Sequence, residues 1–262
     1  MRVSGSDVRR PSGQRPPEQS ATPTFGPSQR LDFELEMGLY LAGGNRAGEP
    51  VPIAAASDYI AGFCLLNDWS ARDIQRWEMF PLGPFLSKSF ATTVSPWVVT
   101  ADALAPFRVS AMQRPDGDPA PLPYLFDEAD RAGGGVDVAL SVMISTEQMR
   151  RDREPPVRIL TSNARHLYWT PAQMVAHHTS NGCDLVAGDL IGTGTISGPS
   201  PHELGSLLEL TAGGQKPISL PNGEQRAFLS DGDEIEFTGR CARDGFVSIG
   251  FGACTGRIIT GA

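Results

Sequence analysis

The chain has 262 residues, of which 40% are hydrophobic, and it carries a formal net charge of −8. A chain of this length can bury one sizeable core. The negative charge argues against nucleic acid as a partner, because phosphates require clustered Lys and Arg. No apolar run approaches the ~20 residues needed to cross a bilayer, so we expect no membrane association.

Two features bear on the cellular compartment. The four cysteines show no CxxC spacing and are expected to be buried, and no apolar secretory signal is present, which together favour a reducing cytoplasm. Residues 1–30 are rich in Arg, Pro and Ser. That composition is compatible with an organelle transit peptide or with an extended, proline-stiffened arm lying over the domain.

Apolar and polar residues alternate from Leu31 to Leu41, which predicts a strand with one continuous apolar face. Residues 57–67 predict a short helix running into a strand that ends at Asn67 and Asp68. A polar, helix-compatible piece, 70–77, follows.

The second half of the chain predicts further strands and one marked helix. Residues 136–144 alternate and predict a strand, whereas the charged, proline-containing residues 149–157 predict an exposed loop. Thr170 and Pro171 open a helix to about Thr179, as N-cap and first helical residue. Short apolar pieces cut by glycine turns predict a β meander over the last eighty residues. The fold class is therefore mainly β (α+β), a β-sandwich or roll with one or two helices.

Three carboxylates lie on or at the end of the predicted strands. Glu34 and Glu36 are two residues apart on a strand, so both side chains leave the same face, about 7 Å apart at Cα. Asp68 ends another predicted strand. Three oxygen donors without nearby His or Cys favour a hard cation, Mg²⁺ or Ca²⁺. An ordinary solvated strand face is the competing interpretation.

The central stretch, CLLNDWSARDIQRWEMFPLGPFLSKSFATTVSPWVV from residue 64, closely resembles the core motif of the fumarylacetoacetase family. Other matching segments include VSGSDVRRPSGQ, LDFELEMGLYL, YWTPAQMVAHHTSNGC, GDLIGTGTISGP and GFGACTGRI. The resemblance implies a catalytic domain over residues 31–262, and it favours the arm interpretation of residues 1–30. It also implies a homodimer.

The resemblance also implies roles for individual residues. Glu34, Glu36 and Asp68 fall on the family's metal-binding carboxylates, and Lys88 and Thr92 fall on positions associated with Mg²⁺ in the same cavity. Arg72, Gln75 and Thr195 resemble substrate-binding residues. Met79 is a departure, because the family usually has a substrate-contacting tyrosine there.

Glu209 lies in the apolar run 207–210, where an unpaired charge would be costly unless it faces solvent. In the family the matching glutamate orients a histidine that takes a proton from the attacking water. That histidine and a further metal-binding aspartate belong to a family segment resembling DFYSSRQHATNVG, and the printed sequence contains no such segment. We therefore expect the chain to carry the electrophilic half of the site without the basic half.

The function implied by the resemblance is metal-dependent hydrolysis of a carbon–carbon bond in a small diketo acid. The products are fumarate and acetoacetate, at the last step of tyrosine and phenylalanine breakdown. Two alternatives remain open. The first is another superfamily hydrolase or decarboxylase acting on smaller oxo acids. The second is a non-catalytic fragment that only folds and self-associates.

Overall fold

The computed structural model describes residues 1–17 and 22–261 as a strand-rich α+β fold. Nineteen strands, β1 to β19, occur among these residues. In chain order they are Arg2–Val3, Ser6–Arg9, Ser12–Arg15, Thr24–Pro27, Leu31–Asp32, Leu35–Leu41, Ile60–Asp68, Ser70–Ala71, Thr92–Val94, Val99–Thr100, Arg108–Val109, Gly135–Val136, Ala139–Ser145, Val157–Asn163, Leu190–Gly192, Ile218–Ser219, Gln225–Arg226, Glu234–Cys241 and Ile249–Ile259.

Seven helices, α1 to α7, lie in the same part of the chain. Their bounds are Ile53–Ala56, Arg72–Glu78, Leu86–Ser89, Glu128–Gly133, Glu147–Asp152, Pro171–Thr179 and Leu207–Leu210. Short 3₁₀ turns occur at Ser57–Tyr59, Ala105–Phe107, Pro123–Leu125 and Ala164–His166. None of the helices described is long and apolar enough to cross a membrane.

Two larger sheets enclose the core. The first has the order β1-β9-β7-β6-β15, with β10 also paired to β7, and the second has the order β14-β13-β18-β19-β2. Glycines on the second sheet allow close approach of the first: a Cβ at Gly239 would lie 3.0 Å from Leu65 Cδ2, and one at Gly256 would lie 2.6 Å from Trp69. The strand β7 and Trp69, which follows it, therefore pack against β18 and β19.

The N-terminal residues contribute strands to both sheets. β1 pairs in parallel with β9, and β2 pairs in parallel with β19. Within the predicted arm, β3 and β4 also form a hairpin-like antiparallel pair. Residues 18–21 of the arm lie outside the described residues, and the boundary at residue 30 stays a prediction.

The strand-rich α+β class is confirmed, and so is the helix predicted after Thr170. The Thr170 side chain accepts a hydrogen bond from the Gln173 N–H, and Gln173 bonds back to the Thr170 N–H, which completes a capping box. Residues 57–68 form the predicted short helical turn followed by a strand. The helices are more numerous and shorter than the sequence predicts, and among those described only α2 and α6 exceed six residues.

Two local predictions are wrong. Most of the loop predicted at 149–157 is replaced by α5 and the start of β14, because Thr146 caps α5 through the Met149 N–H. The run at 207–210 is the helix α7 and not a strand, because Ser206 caps it through the Glu209 N–H. The first prediction rested on charge and proline content and the second on apolar residues, and neither took account of the capping hydroxyl.

Candidate metal centre and substrate site

Three carboxylates converge where β6 and β7 run side by side. Glu34 immediately precedes β6, Glu36 lies on it, and Asp68 ends β7. The two strands are antiparallel, with Glu36 opposite Leu66 and the Asp68 N–H bonded to the Glu34 carbonyl at 3.3 Å. One carboxylate oxygen from each side chain lies within 4.8 Å of the other two. The predicted group of oxygen donors is thus assembled, and it could hold a metal ion.

The face that carries these side chains is covered. Glu34 is 9% exposed and Glu36 is 4% exposed. A solvated strand face is therefore the wrong interpretation of the alternating acids. Burial of like charges needs compensation, since an unpaired carboxylate away from water is costly.

Lys88, on α3, supplies part of that compensation. Its Nζ donates to Glu34 Oε2 at 2.5 Å and to Asp68 Oδ2 at 2.8 Å. Thr92, the other residue associated with Mg²⁺ by resemblance, lies opposite Asp68 in the register of β9 on β7. The structure thus places the Lys88 ammonium on the Asp68 carboxylate and the Thr92 backbone beside Asp68.

The three carboxyls titrate differently because their surroundings differ. Burial alone would raise the pKa of Glu34, but Lys88 and Arg72 lower it below its ordinary value. Burial raises the pKa of Asp68 despite Lys88. Burial, together with the negative charges of Asp68 and Glu34, raises the pKa of Glu36 to about 8.

Glu36 is the carboxylate that the described side chains leave without a cation. Its Oε2 accepts a hydrogen bond from the Gly194 N–H at 3.0 Å, and a Cβ at Gly192 would lie 2.8 Å from the same oxygen. A buried acid with close backbone on one side and two carboxylates on the other fits the donor set of a hard divalent cation.

Arg72, at the start of α2, is almost fully buried among acids. Its Nε donates to Asp32 Oδ2 at 2.9 Å, and its Nη1 donates to Glu34 Oε1 at 2.7 Å and to Gln75 Oε1 at 3.1 Å. The guanidinium therefore orients Glu34 besides being available as a fixed charge. The substrate-binding roles of Arg72 and Gln75 stay predictions.

Asp32 is the functional-site residue that the sequence reasoning missed. It is fully buried, and its oxygens accept hydrogen bonds from Arg72 and from the backbone N–H groups of Phe33, Leu207 and Leu208. Burial raises the pKa of Asp32, and Arg72 and the backbone donors oppose that rise. The period-2 pattern could have found it, because Asp32 lies on the same face as Glu34 and Glu36.

The remaining predicted site residues are Thr195, Met79 and Glu209. Backbone bonds from Thr193 to Met37 and from Ile196 to Leu35 hold the segment containing Thr195 beside β6. Met79 follows α2 and is 37% exposed. Glu209, on α7, is exposed and accepts hydrogen bonds from the hydroxyls of Ser197 at 2.7 Å and Ser206 at 2.6 Å.

Three of the four histidine side chains contact residues other than the three carboxylates. His177 Nδ1 bonds the Tyr124 hydroxyl at 2.9 Å, His178 Nε2 lies 3.6 Å from Cys183 Sγ, and His166 lies 3.7 Å from Glu203. His202 is exposed. Within residues 1–17 and 22–261, no hydrogen bond or ion pair joins an imidazole to Glu34, Glu36 or Asp68.

The fold and site define a class of protein: a strand-rich domain whose buried acidic cluster could hold a metal ion. A family model described as the fumarylacetoacetate (FAA) hydrolase C-terminal domain matches residues 1–259. The chain belongs to the fumarylacetoacetate hydrolase C-terminal family.

Curated relatives agree with this assignment. The chain is 52% identical over 257 residues to a fumarylacetoacetase of Arabidopsis thaliana and 51% identical over 257 residues to one of Homo sapiens. These alignments cover 98% of this chain but 58% and 59% of the two relatives. The chain therefore spans less than two thirds of their length.

Solved structures show the same fold at lower identity. A fumarylacetoacetate hydrolase from psychrophilic Exiguobacterium antarcticum matches with a TM-score of 0.52 at 17% identity, over 98% of this chain and 62% of that one. Fumarylpyruvate hydrolase from Pseudomonas aeruginosa, in complex with Mn²⁺ and pyruvate, matches with a TM-score of 0.50 at 17% identity, over 99% and 73% of the chains.

The buried Asp32–Arg72 pair yields a stability prediction. Asp32→Asn removes the fully buried one of the two charges that balance Arg72, so we expect the free energy of unfolding to fall by about 3–5 kcal/mol, as for other broken buried pairs. Asp231→Asn, which weakens the partly exposed pair with Arg10, is the matched control and should cost about 1 kcal/mol or less. Urea unfolding of both variants measures the difference, and equal losses would contradict the central place of Asp32.

The raised pKa of Glu36 yields a pH prediction. Its folded-state pKa of about 8 lies above its ordinary value of 4.5, so the folded state holds a proton that the unfolded state releases. With metal chelated, the free energy of unfolding should fall as pH rises from 5 to 8, by at most about 1.4 kcal/mol per pH unit from this group. Glu36→Gln should flatten the decline in urea unfolding, and an unchanged slope would exclude Glu36 as its source.

Proposed function

We propose that the chain is the catalytic part of a fumarylacetoacetase, which hydrolyses a carbon–carbon bond of 4-fumarylacetoacetate to give fumarate and acetoacetate. The observation that carries the proposal is the buried group of Glu34, Glu36 and Asp68, bordered by Lys88 and Arg72. Membership of the fumarylacetoacetate hydrolase C-terminal family supports it. The physiological place would be the last step of tyrosine and phenylalanine breakdown.

Mg²⁺ or Ca²⁺ is the proposed cofactor, held by Glu34, Glu36 and Asp68, with Lys88 and Thr92 beside it. Carboxylate oxygens suit these hard cations better than Zn²⁺. When bound, such an ion acts as a Lewis acid on the diketone oxygens.

The basic side chains have a matching task. Cleavage releases the acetoacetate part as a carbanion, which is tolerable only as a stabilised enolate. Lys88 and Arg72 would place fixed positive charge where that negative charge develops, and neither needs to reorganise. Gln75, Met79 and Thr195 are the proposed substrate contacts around them.

A proton must also leave the attacking water. Glu209 is free to orient a base, since it is exposed and anchored by two serine hydroxyls. We propose that its partner is a histidine carried by a segment resembling DFYSSRQHATNVG, because the contacts of the chain's own histidines lie elsewhere. An oriented base of this kind typically contributes ~10²–10⁴-fold.

The remaining proposals concern assembly and compartment. We propose a homodimer in the cytoplasm. Four exposed large apolar side chains within one short segment support self-association, since exposed apolar surface marks interaction sites. They are Phe80, Leu82, Phe85 and Leu86, which are 82%, 96%, 71% and 55% exposed.

Metal binding tests the first half of the proposal. Millimolar Mg²⁺ or Ca²⁺ should raise the melting temperature, because a ligand that binds only the folded state stabilises it. The shift should vanish in Glu34→Gln, Glu36→Gln and persist in the exposed pair Glu49→Gln, Glu154→Gln. Equal shifts in both double variants would place the ion elsewhere.

Activity tests the second half. Joined to a DFYSSRQHATNVG-like segment at its N-terminal side, the chain should hydrolyse 4-fumarylacetoacetate at least ~10²-fold faster than the chain alone. Glu209→Gln should slow the joined form strongly and the chain alone little, because residues acting as one unit contribute non-additively. Full activity of the chain alone, lost in His177→Ala, would show that the base lies on α6.

A further inference from the structure

The carboxylate of Glu78, the last residue of α2, closes the loop that leads to Lys88. Oε1 accepts hydrogen bonds from the Phe85 N–H at 2.8 Å, the Ser87 N–H at 2.7 Å and the Ser87 hydroxyl at 2.5 Å. Oε2 accepts a fourth from the Leu86 N–H at 3.1 Å. We call these four bonds the Glu78 clamp.

The clamp supplies what α3 lacks. Phe85 occupies the N-cap position of α3, and its side chain cannot accept a hydrogen bond from the first turn. The first N–H groups of a helix need acceptors, and Glu78 provides them from outside the helix. These bonds and burial act in opposite directions on the pKa of Glu78: burial would raise it, but the bonds from Ser87, Phe85 and Leu86 hold it below its ordinary value.

Apolar packing does little to hold the same loop. Phe80, Leu82 and Phe85 are mostly exposed, so the loop from Met79 to Phe85 buries little of its own apolar surface. By contrast, Ser87, which follows this loop and bonds the Glu78 carboxylate, is fully buried. Among the residues that the structure describes, the hydrogen bonds of Glu78 are therefore the main interaction that joins α2 to the start of α3.

Lys88 is the next residue along α3, and its Nζ bridges Glu34 and Asp68. A side chain that reaches two buried carboxylates needs its backbone fixed, because small misplacements of a site residue are costly. We propose that Glu78 is a positioning residue: its carboxylate clamps the start of α3 and so holds the Lys88 ammonium between Glu34 and Asp68. The catalytic importance of holding Lys88 there rests on the proposed function, but the role of Glu78 in holding it does not.

The chain offers a built-in comparison, because Lys88 and the exposed Lys216 are its two lysines. Acetylation by an amine-reactive ester at fixed pH, followed by peptide mass spectrometry, measures the acetylation rates of Lys88 and Lys216 in one sample. Lys88 reacts through states in which it has left the carboxylates, so its rate relative to Lys216 reports how firmly it is held.

Glu78→Ala should raise the Lys88 rate relative to Lys216 by about tenfold or more, since a hydrogen bond to a charged group is worth at least that factor. Glu78→Gln keeps one acceptor oxygen, so the Lys88 acetylation rate should rise by an intermediate amount. Ser87→Ala removes only the hydroxyl bond and should raise that rate less. Glu154→Gln, at an exposed acid on another segment, should change neither rate.

Three results would overturn the proposal. One is an unchanged Lys88 rate in folded Glu78→Ala, and another is an equal rise at Lys216, which would indicate general loosening. If Glu78→Ala does not fold, unchanged Lys88 rates in both Glu78→Gln and Ser87→Ala would overturn it equally. Acetylation requires no turnover, so a chain that fails to hydrolyse the diketo acid still tests the role of Glu78.

Discussion

The buried ion pair between Asp32 and Arg72 is the constraint on which the rest of the site depends. Neither side chain can be solvated, so each must find its partners within the protein. Asp32 does so by accepting backbone N–H groups from Leu207 and Leu208, which fixes α7 and hence Glu209. Arg72 does so by reaching Glu34, which fixes a proposed metal ligand. One pair therefore joins the start of α2, the start of α7 and the strand β5.

The charges around this pair do not balance. Four carboxylates, those of Asp32, Glu34, Glu36 and Asp68, face two cationic side chains, Arg72 and Lys88. If all are ionised, two negative charges remain, which one divalent cation would balance. Without such an ion, protonation of Glu36 removes one of the two, because burial and the charges of Asp68 and Glu34 raise its pKa to about 8. The charge of this cluster is thus compatible with a bound divalent cation, as is the close approach of its carboxylate oxygens.

The parts of the fold and site that could be predicted from sequence are those whose interacting residues lie close together along the chain. Glu34 and Glu36 follow from the period of a strand, and α6 follows from its cap, since both signals lie within a few residues. The burial of Glu34 and Glu36 could not be predicted, because the groups that contact them, the Lys88 ammonium and the Gly194 N–H, come from segments far along the chain. The helix α7 was mistaken for a strand because its first N–H groups bind Asp32, a partner 175 residues away. The contact of Glu78 with Ser87 could not be predicted either, because a charged residue on a short helix is equally compatible with an exposed surface.

The parallel pairing of β2 with β19 determines when the domain can be completed. Ser6 lies opposite Gly256, and the Ser4 hydroxyl bonds Thr255, so residues 251 positions apart must meet. Such contacts carry a high loop-closure cost and are made late in folding. During synthesis, β2 has no neighbour in its sheet until β19 has emerged. β2 therefore leaves its pairing groups unsatisfied until Ile249–Ile259 have been synthesised, and an unpaired strand can associate with other chains throughout that interval.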